Sequence, residues 1–140
     1  MEPVNDILEL LPHRPPFIMI GELLFADNLQ TRTAYTLSAD NLLVENAKWS
    51  EAGLLENMAQ TVAAGAGYRA KQAGLPVQTG YIAAVKNFEV THLPQVGQRL
   101  VTETILKESI ASMIVVEATV WRDDRLIARC ELNIFAGSQS

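Results

Sequence analysis

One stretch of helical spacing, residues 51–73, stands between segments that alternate with the two-residue period of β-strands. This ordering constrains the fold more than any other feature. Ser50 can cap the helix, and Gly74 with Pro76 supplies a stop. Upstream, "FIMIGELLFA" and "TRTAYTLS" are rich enough in β-branched and aromatic residues to be strands. Downstream, "TGYIAAVKNFEV", "GQRLVTETILKES", "SMIVVEATVWR" and "RLIARCELNIF" make four more. In the last, Leu126, Ala128, Cys130, Leu132 and Ile134 alternate with Arg129, Glu131 and Asn133, so one face is apolar. Asp123-Asp124 joins the final pair as a tight turn. Two strands, one long helix and four strands predict an α+β fold, an antiparallel sheet with the helix on its concave face.

The remaining segments are shorter. "NDILELL" suits a brief helix stopped by Pro12, and Pro15 and Pro16 make "PHRPPF" a stiff, non-helical connection. "ADNLLVENAKW" is the longest irregular segment, and residues 136–140 are expected to be a loose tail. A chain of 140 residues, 49% hydrophobic and 19% charged, is sized for one domain with a real core, taken as residues 1–140. The net charge of −5 offers no footprint for nucleic acid or an anionic membrane. No apolar run approaches the roughly 20 residues that span a bilayer. The start "MEPVNDILELLPHR" lacks a secretory pattern, and the single cysteine, Cys130, excludes an intrachain disulfide, so the cytoplasm is the expected compartment.

Within the helix, Leu55, Met58, Ala59, Val62 and Ala66 form one apolar stripe, and its later half is small-sided. Gly65 and Gly67 each cost about 0.8–1 kcal/mol of helix propensity against Ala, so close packing or a ligand must offset them. Glu56 is the only ionisable side chain between Gly53 and Tyr68. With Asn57, Gln60 and Thr61 it reads either as the solvated edge of an amphipathic helix or as a site. Ala63, Ala64 and Gly67 continue the row, where a solvated edge would carry Lys, Glu or Arg. A carboxylate on a largely covered helix has its charged form disfavoured, which suits a general acid near neutral pH. Gln60, one turn on, is placed to hold it by a hydrogen bond.

"LPHRPPFIMI" followed some forty residues later by "LLENMAQT" resembles the β-hydroxyacyl-acyl-carrier-protein dehydratases of fatty-acid synthesis, members of the hotdog superfamily. "AAVKNFEV" and "LPQVGQRL" extend the similarity over most of the chain. "AKWSEAGLLENMAQTVAAGAGY" is most similar to the dehydratase-like proteins of aryl polyene-type pathways. The resemblance implies a hotdog domain dimerised edge to edge, with an acyl site between subunits and Glu56 as the catalytic carboxylate. It departs at a second element. The housekeeping enzymes carry a histidine in a "GHFPG" loop, and the corresponding segment here, "ADNLLVENAKW", has none; that position falls near Leu42.

Dehydration needs a base for the α-proton and an acid for the departing hydroxyl, roles suited to histidine and carboxylate. Only His13 and His92 are present. His13, at a rigid turn, either fixes that turn or replaces the missing base; His92 in "VTHLPQVG" reads as an exposed loop residue. Trp49 is a candidate for lining the pocket at the helix start. Arg14 is a candidate for a phosphopantetheine phosphate, or is simply solvated. Cys130 lies on the apolar face of its strand and reads as a small core residue. No CxxC, HExxH or Gly-rich phosphate loop occurs, so no metal or other cofactor is expected. Three functions follow: a dehydratase using Glu56 and His13 on acyl-carrier-protein thioesters, a subunit of a heteromeric dehydratase, which includes a non-catalytic acyl-binding or structural partner, or an acyl-thioesterase in which Glu56 activates water. The partner is accordingly a second copy or a homologous dehydratase.

Overall fold

A computed structural model describes residues 1–136. Its strands are β1 (Glu22–Ala26), β2 (Gln30–Thr36), β3 (Val44–Glu45), β4 (Lys48–Trp49), β5 (Gly80–Val90), β6 (Arg99–Ile110), β7 (Met113–Arg122) and β8 (Arg125–Ala136). The one long helix, α1, runs Glu51–Gln72, within a residue of the expected bounds. Six strands form one antiparallel sheet in the order β1-β2-β6-β7-β8-β5, with α1 packed against β1, β2, β6 and β7. This is the α+β arrangement of a hotdog fold. Among the described residues no helix is long and apolar enough to cross a membrane.

Both ends of α1 follow from local chemistry. The Ser50 hydroxyl accepts the Gly53 N–H at 3.3 Å, satisfying one of the free donors of the first turn. At the other end Gly74 takes φ +71°, and the Gly74 and Leu75 N–H groups bond back to Lys71 and Ala70 carbonyls. That left-handed closure favours glycine, and Pro76 then forbids another turn.

Glycines inside α1 are explained by contact. A side chain on Gly65 would collide with Thr31 of β2, and one on Gly67 with the carbonyl of Leu10. Close packing, then, offsets their propensity cost. The core lies between α1 and the sheet, around Met58, Leu100, Val116, Ala118, Val120, Ile127, Cys130 and Leu132. A second cluster of Ile7, Leu10, Leu11, Ile20, Leu23 and Ala64 fixes the N-terminal arm to the helix.

Four local expectations are revised. "NDILELL" forms only a 3₁₀ turn, Ile7–Glu9. "FIMIGELLFA" becomes a strand only from Glu22, because the backbone of Phe17 and Met19 is taken by side chains of α1. The irregular "ADNLLVENAKW" contains the small β3–β4 hairpin, turned by Asn46 and Ala47 at φ 54° and 64°. Ala136 ends β8; the rest of the expected tail, residues 137–140, lies outside the described residues.

Candidate active site

α1 carries an unexpected set of buried polar side chains. Asn57, Gln60 and Thr61 are each no more than 1% exposed, so the solvated-edge reading fails for three of its four members. Each is instead hydrogen-bonded, as burial of a polar group demands. Asn57 donates to the Met19 carbonyl at 2.8 Å and accepts the hydroxyl of Thr102 from β6. Thr61 bonds the Asn57 carbonyl and the Thr33 hydroxyl of β2, both at 2.8 Å.

Glu56 lies on a different face. With Ala59, Val62, Ala63 and Ala66 it lines a cavity of about 340 Å³ between α1 and the β7, β8 and β5 part of the sheet. Ile114 and Ile134 supply the sheet wall, and Gln78, Thr79, Gly80, Tyr81 and Ile82 supply the rim at the edge strand. Small alanines at helical spacing are what leave this space open. Glu56 is half-buried, and none of the four ion pairs among the described residues includes it.

His13 lines the same cavity. The fold therefore brings together the two groups that the sequence separates by more than forty residues. The Nδ1 of His13 is buried and has no hydrogen-bond partner among the described residues. Unpaired buried nitrogens are uncommon.

The other candidates sit elsewhere. Gln60 does not bond Glu56: its Oε1 accepts the Met19 N–H and its Nε2 donates to the Phe17 carbonyl, each at 2.7 Å. With both ends of the amide used and no exposed surface, it does not line the cavity. Trp49 does not line it either. It is 0% exposed, its ring lies tilted by 35° with its centroid 5.3 Å from that of Tyr35, and its Nε1 donates to Asn41 at 3.0 Å. The segment that would carry the housekeeping histidine thus serves to seat Trp49, while Leu42 is exposed.

Arg14 braces the arm, its Nη1 donating to the carbonyls of His13 at 2.7 Å and Leu11 at 2.9 Å. His92 is exposed in a bend, as expected. Cys130 is buried against Met58, and burial, then the charge of Glu131, pushes its thiol up to about 11. No group of three metal-ligating side chains occurs among the described residues.

A family model described as ApeP-like, ApeP dehydratase, matches residues 5–140. The chain belongs to the ApeP-like dehydratase family. Among solved structures it is similar to the dehydratase heterocomplex ApeI:P from Xenorhabdus doucetiae, with 16% identity, TM-score 0.82, and 95% of this chain and 91% of that chain covered. An uncharacterized protein from Pyrococcus horikoshii aligns at 13% identity and TM-score 0.71, over 99% and 97% of the two chains. A hypothetical thioesterase from Streptococcus pneumoniae, solved with coenzyme A, aligns at 8% identity and TM-score 0.65, over 84% and 85%. Similarity at these identities is similarity of fold. No curated protein matches the chain in sequence.

Proposed function

We propose that this chain dehydrates β-hydroxyacyl thioesters carried on acyl carrier protein, as the Glu56-bearing subunit of a mixed dimer. One observation carries the reading: His13 and Glu56 line a single, mostly apolar cavity. His13 takes the α-proton, the C2–C3 double bond forms as the C3–O bond breaks, and the Glu56 proton leaves with the hydroxyl as water. Histidine and a carboxylic acid are the residue types suited to a base and an acid in such a step. The apolar walls accept the acyl chain and the mouth accepts the phosphopantetheine arm.

The second subunit is read from the sheet edge. β5 ends the sheet, and its Tyr81, Ile82 and Val85 are exposed beside the cavity rim. An apolar edge strand invites pairing, and a partner strand there would close the cavity's open side. The similar structure from Xenorhabdus is described as a heterocomplex, which supports a homologous dehydratase as that partner. The homologue's part in the pairing is then to complete the cavity wall and exclude water, since the proposed base and acid both come from this chain.

The deciding assay presents β-hydroxyacyl and saturated acyl thioesters on carrier protein to the purified chain, alone and co-expressed with a homologue that carries the loop histidine. Enoyl product from the mixed dimer, with little from the chain alone, is the expected result. Vigorous dehydration by the chain alone would remove the mixed dimer from the proposal. Release of free acid from the saturated thioester would replace dehydration with thioester hydrolysis.

A further inference from the structure

We infer that Gln60 is a positioning residue that sets His13 against Glu56; the inference rests on the reading of those two groups as base and acid. The amide of Gln60 spans two peptide units of the arm, donating to the Phe17 carbonyl and accepting the Met19 N–H, both at 2.7 Å. Asn57, next to Glu56 on α1, takes the carbonyl of the same Met19 at 2.8 Å. Three hydrogen bonds, two of them buried, therefore fasten residues 17–19 to the helix turn that carries the carboxylate.

The fastening continues back to the histidine. The Phe17 N–H bonds the Arg14 carbonyl at 2.9 Å, and Arg14 Nη1 bonds the His13 carbonyl at 2.7 Å. A continuous run of hydrogen bonds thus joins the backbone of His13 to α1. Its anchor is itself held, because Asn57 accepts from Thr102 of β6 and Thr61 reaches Thr33 of β2. A satisfied polar network of this kind rigidifies what it joins. At Phe17 and Met19 the arm bonds these amides where a neighbouring strand could have served, so its place is defined relative to the helix that bears Glu56. Reacting groups must keep their separation closely, and a misplacement of about 1 Å costs on the order of 10²-fold in rate.

The test uses Gln60→Met, which keeps length and apolar fit while removing both bonds, and Arg14→Ala, which cuts the same run at its exposed end without opening the core. Two measurements need only the purified chain: amide hydrogen exchange, and the NMR signals of the His13 ring, with His92 as internal control. Exchange over residues 13–19 should rise by about tenfold or more while the β6–β8 hairpins are unchanged, and the His13 signals should move while those of His92 do not. In the mixed dimer, kcat should fall on the order of 10²-fold for Gln60→Met with KM within about threefold, the split expected when orientation and not binding is lost.

If exchange over 13–19 and the His13 signals match wild type in the folded variants, the inference is overturned. A loosened arm with unchanged kcat overturns it equally. Should Gln60→Met fail to fold, Gln60→Glu, which keeps an acceptor for the Met19 N–H and loses the donor to the Phe17 carbonyl, decides by the same readouts. If the wild-type pair shows no dehydration, it is the proposed function that fails, and exchange with the ring signals still decides whether the clamp holds His13.

Discussion

The indole of Trp49 occupies the space where a side chain on Gly53 would stand. The β4 residue and the first turn of α1 are thereby locked together, and the entry angle of the helix is set by a ring that is itself hydrogen-bonded to Asn41. Gly53→Ala gains helix propensity but forces the ring to move. The net expectation is a loss of about 1–3 kcal/mol, seen as a lower denaturant midpoint with an unchanged slope.

Ala47 takes φ 64° in the two-residue turn between β3 and β4, a conformation that costs a side-chain-bearing residue roughly 1–2 kcal/mol. Glycine adopts it freely, at an entropic cost of about 0.5–1 kcal/mol. Ala47→Gly should therefore stabilise by several tenths of a kcal/mol to about 1 kcal/mol. A melting temperature equal to or below that of wild type would contradict the turn geometry.

Burial raises the Cys130 thiol from 9.0 to about 11. A group whose folded value exceeds its unfolded one contributes stability that is complete below the unfolded value and is lost as pH rises through the folded value. Stability should accordingly decline between about pH 9 and pH 11. Cys130→Ser should flatten that decline. In the native protein a thiol reagent at pH 8 should label Cys130 slowly, and unfolding should speed the labelling many-fold.

Asp27 is exposed, and its carboxylate is held below the usual range first by the Leu29 N–H and then by the Gln30 N–H, which it accepts at the β1–β2 turn. The sign is opposite to that of Cys130. Its contribution is present above 3.8, the ordinary value, and is lost as pH falls through the lowered one. The acid limb of a stability-versus-pH curve should be shallower in Asp27→Asn, which keeps an acceptor and cannot titrate.

Glu56→Gln keeps the shape of the side chain and removes the acid. In the mixed dimer it should lower dehydration by about 10²-fold or more, with the fold intact. His13→Ala should cause a loss of similar order if this chain supplies the base. Full activity in His13→Ala, with activity lost on changing the partner's loop histidine, would move the base to the partner. Unchanged turnover in Glu56→Gln would remove Glu56 from the mechanism.

Much of the fold was legible because strand and helix periods are local. Ser50, Gly74 and Pro76 mark the ends of α1 through groups within a few residues of one another. The β3–β4 hairpin escaped notice because Asn-Ala replaces the Asn-Gly that advertises such a turn. Glu56 was legible as an isolated carboxylate among small residues. The roles of Gln60 and Trp49 were not, since a glutamine one turn from a carboxylate and a tryptophan before a helix look alike whether they face a cavity or the core.

By itself the sequence determined the order and type of the elements, the limits of the long helix and the isolated carboxylate, Glu56, beyond its first turn. Hydrophobic period and capping are decided over a few residues, so no distant contact was needed. Only the tertiary structure decided which side of that helix is core and which is cavity. Asn57, Gln60 and Thr61 are buried because partners 38 to 45 residues away in the arm and in β6, and 28 away in β2, satisfy them. His13 meets the cavity of Glu56 because those same partners draw the arm across α1. Long-range hydrogen bonds of this kind leave no periodic trace in the chain.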